Sequence, residues 1–125
     1  MVQIPIQSKF GKIYSWGCYF LCLLHQTKHS DSEILELYDY FVKKGYMTED
    51  CYIQDPVKIL KYLTGDNYKV ERVEKLPLHY DFAVYHYYNS ATGLGHFVLP
   101  DWDPLGDSIT RRNGVIDSYR VFTKI

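Results

Sequence analysis

The sequence predicts an α+β domain with N-terminal helices packed on a C-terminal antiparallel sheet. Helix-period segments fill the first half of the chain and strand-like segments the second, an order that favours an antiparallel sheet over a βαβ repeat. The chain has 125 residues and is 46% hydrophobic. That is enough for one ordinary core and too little for two, so residues 1–125 are expected to form a single domain. No internal repeat, low-complexity tract or Ser/Gly linker divides it.

Val2 to Gln7 alternates around Ile4 and Ile6, and Pro5 confines it to an edge strand or an extended arm. Lys9 to Tyr14 reads as a loop. From Trp16 to about Gln26 the chain is too long and too densely apolar for a strand (Cys18, Phe20, Leu21, Cys22, Leu23, Leu24), which predicts a buried helix. Ser15 is its expected N-cap, because a hydroxyl there can accept from the free amides of the first turn. Ser30 and Glu33 have capping-box spacing, and Ile34, Leu37, Tyr38, Phe41 and Val42 then recur at helical period. Gly45 suits the left-handed residue that ends such a helix. Asp55-Pro56 opens a third helix, with Val57, Leu60 and Leu63 on one face and Gly65 at its end.

Strand signals follow. Tyr68, Val70 and Val73 mark one strand, and Asp81 to Tyr88, rich in aromatic and β-branched residues, reads as a central one. Ser90 to Gly95 is a turn, His96 to Leu99 is extended, and Asn113-Gly114 is the strongest short hairpin-turn signal. Val115 to Ile125 alternates as a last strand.

Charge and composition exclude several function classes. With 14 basic and 15 acidic side chains, binding of nucleic acid through bulk charge is not expected. No apolar run approaches the ~20 residues of a membrane helix. Met1 opens a polar–apolar alternation, not a basic stretch followed by an apolar run, so no secretory signal is expected. The expected location is cytoplasmic, with phage-associated export left open. Three cysteines, an odd and low number, argue against a disulfide framework.

Cys18 follows Trp16-Gly17 at the predicted helix start. Partial positive charge and unpaired N–H groups there would stabilise a thiolate and lower its pKa. Gly17 would let a substrate backbone approach. The structural alternative is a small buried hydrophobe, as free Cys commonly is. A Cys nucleophile needs a His to take its proton and often a carboxylate or amide to orient that His. His96, opening a strand after the flexible Gly93-Leu94-Gly95 turn, has the place for it, against the alternative of a hydrogen-bonded structural His. His86 reads as packed between Tyr85 and Tyr87. The third member can come from Asp101, Asp103 or Asp107, each of which can equally be a turn residue. The Gln7 amide can donate to an oxyanion beside the Cys18 backbone N–H.

Ile4-Pro5-Ile6-Gln7, a loop and then Gly17-Cys18 entering an apolar helix resemble the front end of papain-like cysteine peptidases. The closest subgroup is similar to the bacterial peptidases that process double-glycine leader peptides. Gly95-His96-Phe97-Val98 followed by Asp103-Pro104 resembles their His strand and Asp-Pro segment. The resemblance implies a papain-like domain with Cys18, His96 and Asp103 as catalytic residues and Gln7 in the oxyanion hole. It also implies hydrolysis of a peptide or amide bond without cofactor or metal. Only six residues separate His96 from Asp103, where the family usually places a full hairpin, and Pro100 falls among them, so Asp101 stands as a substitute. A phage-type peptidoglycan hydrolase and a non-catalytic papain-like binding module are the rival readings. The tail also resembles an uncharacterised group of spirochaete and phage-associated proteins, through Asp103-Pro104-Leu105-Gly106 and Arg112-Asn113-Gly114.

Other constellations rank lower. Cys18, Cys22, His25 and His29 share a helix face, but ligands on one straight helix cannot surround a tetrahedral zinc ion. Arg111-Arg112 reads as a solvated hairpin tip. The tyrosines from Tyr80 to Tyr88 read as core residues with hydroxyls at the rim, although an exposed face of them could stack bases or sugars.

Overall fold

The structure, a computed structural model, describes residues 9, 11–13, 16–104, 106 and 114–125. Helix α1 (Cys18–Gln26) buries Phe20, Leu21, Cys22, Leu23 and Leu24, the apolar run that predicted it. Its N-cap is Gly17 and no side chain caps it; Ser15, the expected cap, lies outside the described residues. Residue 9 and residues 11–13 are helical where a loop was expected, and residue 16 is helical as expected. Tertiary contacts explain the difference. Ile13 is fully buried, and Lys9 forms an ion pair of 2.9 Å with Asp39 on the next helix. Together they hold a segment whose composition alone is weakly helical.

The hand-over into α1 is tight. Gly17 N–H donates to the Ile13 carbonyl at 2.7 Å, and Leu21 N–H donates to the Gly17 carbonyl at 2.8 Å. A Cβ on Gly17 would lie 2.4 Å from the Ile13 carbonyl oxygen. The glycine therefore serves this backbone approach.

A 3-10 turn (Asp31–Glu33) leads into α2 (Ile34–Lys44). Ser30 N–H donates to Glu33 Oε1 at 3.0 Å, as the capping-box spacing predicts. Gly45 ends α2 at φ 77°, and buried Tyr38 donates its hydroxyl to the Glu49 carbonyl at 2.6 Å. Helix α3 (Pro56–Thr64) is capped by Asp55, whose Oδ1 accepts from Lys58 N–H at 3.0 Å.

Strands β1 (Tyr68–Val73), β2 (Phe82–Asn89), β3 (Leu94–Val98) and β4 (Val115–Lys124) form an antiparallel sheet in the order β1-β4-β2-β3. The chain is thus an α+β domain, with helices preceding a four-stranded antiparallel sheet. The last strand is internal, between β1 and β2, which leaves β3 at an edge. Gly114 leads straight into β4, while Asn113, the pair Arg111-Arg112 and the arm from Val2 to Gln7 lie outside the described residues. Val84 and Phe122 are fully buried, and the Tyr19 ring of α1 stacks on Phe97 with ring centres 4.6 Å apart. Alternation sends His96 and Val98 of β3 to the opposite face. Among the described residues, no helix is long and apolar enough to cross a membrane.

Replacing Gly17 and Gly11 separates these effects. Gly17→Ala is expected to cost about 1–3 kcal/mol in urea unfolding, because a backbone atom must move. Gly11→Ala meets nothing within 4 Å and should be neutral or stabilise by up to about 1 kcal/mol.

Candidate functional site

The site is built on the free edge of β3. An edge strand presents N–H and C=O groups without strand partners, and such groups must be satisfied when covered. Helix α1 covers them with sulfur. Phe97 N–H donates to Cys18 Sγ at 3.4 Å, and the Cys22 thiol donates to the Phe97 carbonyl at 3.5 Å. The two cysteines lie one turn apart on one helix face, so they reach both polar groups of a single residue. Sulfur hydrogen bonds are individually weak. Here they fix the register of the α1 start against the strand that carries His96.

His96 neighbours this contact in sequence. Its side chain is 4% exposed and that of Asp103 is 2% exposed, and His96 Nε2 lies 2.7 Å from Asp103 Oδ1. An acceptor at Asp103 Oδ1 makes Nε2 the donor of the pair and leaves Nδ1 outside it.

A local turn brings Asp103 back to His96. Leu99 N–H donates to the Trp102 carbonyl at 2.8 Å, and Trp102 N–H donates to the Leu99 carbonyl at 3.3 Å. Pro100 occupies the second position of this turn, where its fixed φ is favourable. It shapes the return instead of breaking a strand pair. The Trp102 ring stacks on His25 of α1 at 3.9 Å and 3°, which anchors the turn to the Cys18 helix. Six intervening residues are therefore sufficient. Asp101, the substitute, is exposed and lines a separate cavity of about 450 Å³ with His25, Lys28 and His29. Asp107 and Gln7 lie outside the described residues.

The thiol departs from expectation. Cys18 is half-buried, and burial pushes its pKa above the ordinary value of 9.0, with the Asp103 charge adding to the rise. Amides of Phe97, Tyr19 and Cys18 itself pull the other way, as a helix start should, but desolvation outweighs them. Cys22, deeper on the same helix, is pushed up further by burial and by the Cys18 and Asp103 charges. Cys51 rises to about 12, chiefly through burial and then through Asp50. The helix stripe weighed as a zinc site is dispersed among other contacts: His29 bonds Glu33 Oε2 at 3.0 Å and the Leu63 carbonyl at 3.2 Å, and His25 holds Trp102.

His86 does not pack between its tyrosine neighbours. Its Nδ1 lies 2.6 Å from Asp117 Oδ1, and its ring rests against Phe97 with centres 4.6 Å apart. Strand alternation puts Tyr85 and Tyr87 on the other face, a signal available in the sequence. The Asp117 contact, 31 residues away, has no local sequence signal.

Two outcomes follow. A raised pKa lowers the thiolate fraction at any given pH. Iodoacetamide should therefore alkylate Cys18 slowly at pH 7 and ever faster as pH rises through and beyond 9.0, without a plateau near neutrality. Cys22 and Cys51 should lag throughout, as peptide mapping would show. Asp103→Ala should cost about 3–5 kcal/mol in urea unfolding by leaving His96 without its buried partner, whereas Asp101→Ala should stay within about 0.5 kcal/mol.

Comparison with known proteins places the chain. A family described as "Protein of unknown function, DUF261" matches residues 5–124. Neither the curated proteins nor the solved structures contain a match. With nearly its whole length matched, the chain belongs to the DUF261 family.

Proposed function

We propose that this chain is a small papain-like cysteine hydrolase that cleaves a peptide or amide bond. The observation that carries the reading is the buried His96–Asp103 contact at 2.7 Å, with His96 on the strand whose next residue contacts Cys18 Sγ. In the proposed reaction Cys18 Sγ attacks the substrate carbonyl carbon while His96 Nδ1 takes the thiol proton. The carbonyl π pair moves to oxygen, and the Cys18 backbone N–H and the Gln7 amide stabilise that charge. His96 returns the proton to the leaving nitrogen as the C–N bond breaks, leaving a thioester. His96 then deprotonates a water molecule, which hydrolyses the thioester and restores the thiol. Asp103 keeps the proton on Nε2 and balances the imidazolium charge formed at each transfer.

Burial of the thiol sets the order of events. Cys18 rests protonated, and its proton moves to His96 as the carbonyl arrives. The same burial favours a second reading, in which the domain keeps the arrangement and only binds.

Turnover of a panel of fluorogenic peptide amides, including sequences ending in Gly-Gly, tests both. Hydrolysis should vanish in Cys18→Ala and fall by about 10²–10⁴-fold in kcat in Asp103→Asn. A peptide vinyl sulfone should add to Cys18, as read by intact mass. Turnover unchanged in Cys18→Ala, or no adduct at Cys18, would overturn the hydrolase and leave the binding module.

A further inference from the structure

The helix-facing side of the sheet carries a second polar cluster, centred on Arg120. The cross-strand register pairs Arg120 with Arg72 of β1, so both arginines project from one face. Like charges directly opposite each other destabilise a sheet unless something compensates them. Nearby carboxylates are already engaged: Glu71 pairs with Lys69 at 3.5 Å, and Asp117 with His86 at 2.6 Å. Among the described residues, neither arginine has an ion-pair partner.

Arg120 is also held in place. Its Nη1 donates to Ser118 Oγ at 3.0 Å, and Ser118 Oγ donates to Asp117 Oδ1 at 3.2 Å. Ser118 is fully buried, so this support is rigid. The guanidinium lies over the Phe97 ring at 5.2 Å from its centre, and His86 and Tyr19 lie against the same ring. Gly95 makes room for this packing, since a Cβ there would meet His86 Nε2 at 2.5 Å. Burial lowers the Arg120 pKa and outweighs the opposing pull of Tyr19 and Asp117, while Arg72 adds to the fall. Phe97 links the cluster to the thiol, because its amide contacts Cys18 Sγ.

We infer that Arg120, oriented by Ser118 and assisted by Arg72, is a carboxylate-binding subsite, and that the substrate of the Cys18 site carries a carboxylate close to the bond to be cut. The substrate assignment rests on the hydrolase reading; the anion site itself does not. A guanidinium fork matches a carboxylate in two parallel hydrogen bonds, and the Phe97 ring beneath it restricts its plane. The carboxylate can belong to a chain terminus or to an acidic side chain.

NMR titration of the full chain tests this, reading the Arg120 Nε–H signal. N-acetylglycine supplies a terminal carboxylate, N-acetylglutamic acid α-amide supplies a side-chain carboxylate, and N-acetylglycinamide is the neutral control. At least one carboxylate should shift the signal saturably and the neutral amide should not; the tighter acid identifies the source. Arg120→Gln should weaken binding, read at neighbouring amides, by about tenfold or more. Arg72→Gln, at an exposed position, should weaken it by a smaller factor and serves if Arg120→Gln unfolds. An equal response to acid and amide, no saturable shift, or binding indifferent to both arginine substitutions would overturn the subsite. Carboxylate binding without turnover would overturn the hydrolase alone, and turnover without carboxylate binding the subsite alone.

Discussion

Everything around the site depends on how the exposed edge of β3 is closed. Phe97 offers an outward N–H and an outward C=O, and the thiols of Cys18 and Cys22 take one each. This is an uncommon way to cover an edge strand, which proteins more often blunt with charges, proline or a bulge. It ties the start of α1 to one residue of β3. Strand alternation then sorts the neighbours: the Phe97 ring goes to the helix-facing side, where Tyr19, His86 and Arg120 gather. The His96 ring goes to the other side, where Asp103 receives it. Cys18 sits at the boundary between the two.

The proposed mechanism would give one cysteine two tasks that pull its chemistry in opposite directions. As a structural acceptor, Cys18 needs to be close to the strand and partly desolvated. As a nucleophile, it benefits from exposed amides and a mobile proton. Burial wins in the resting molecule and raises the thiol pKa. Catalysis in the proposed mechanism therefore relies on His96 as a base at the moment of attack, not on a preformed thiolate. Cys22 has only the structural task, and its deeper burial suits that.

Much of this was legible in the sequence because the relevant signals are local. Capping by Asp55 and Glu33, the left-handed Gly45 and Gly65, and the aromatic character of β2 each depend on residues a few positions apart. The His96–Asp103 contact is similarly close, since the turn from Leu99 to Trp102 spans it. Pro100 misled because proline breaks a strand ladder but favours a turn, and only the pairing partner decides which applies. The leading helical segment was missed because its support comes from Asp39 and from the core around Ile13. Desolvation of Cys18 was missed for the same kind of reason: the helix start is visible in sequence, while the strand that covers it lies 79 residues away. The Arg72–Arg120 and His86–Asp117 neighbours needed the strand register, including the bulge between His86 and Tyr87.

The central claim is that Cys18 and the His96–Asp103 pair form one proton-exchanging unit. Nitrogen-15 NMR of the His96 ring, recorded before and after Cys18 is blocked with iodoacetamide, tests it most directly. The account predicts that the Nδ1 signal shifts on blocking while Nε2 keeps its proton and its bond to Asp103. An Nδ1 signal indifferent to the state of Cys18 would contradict it.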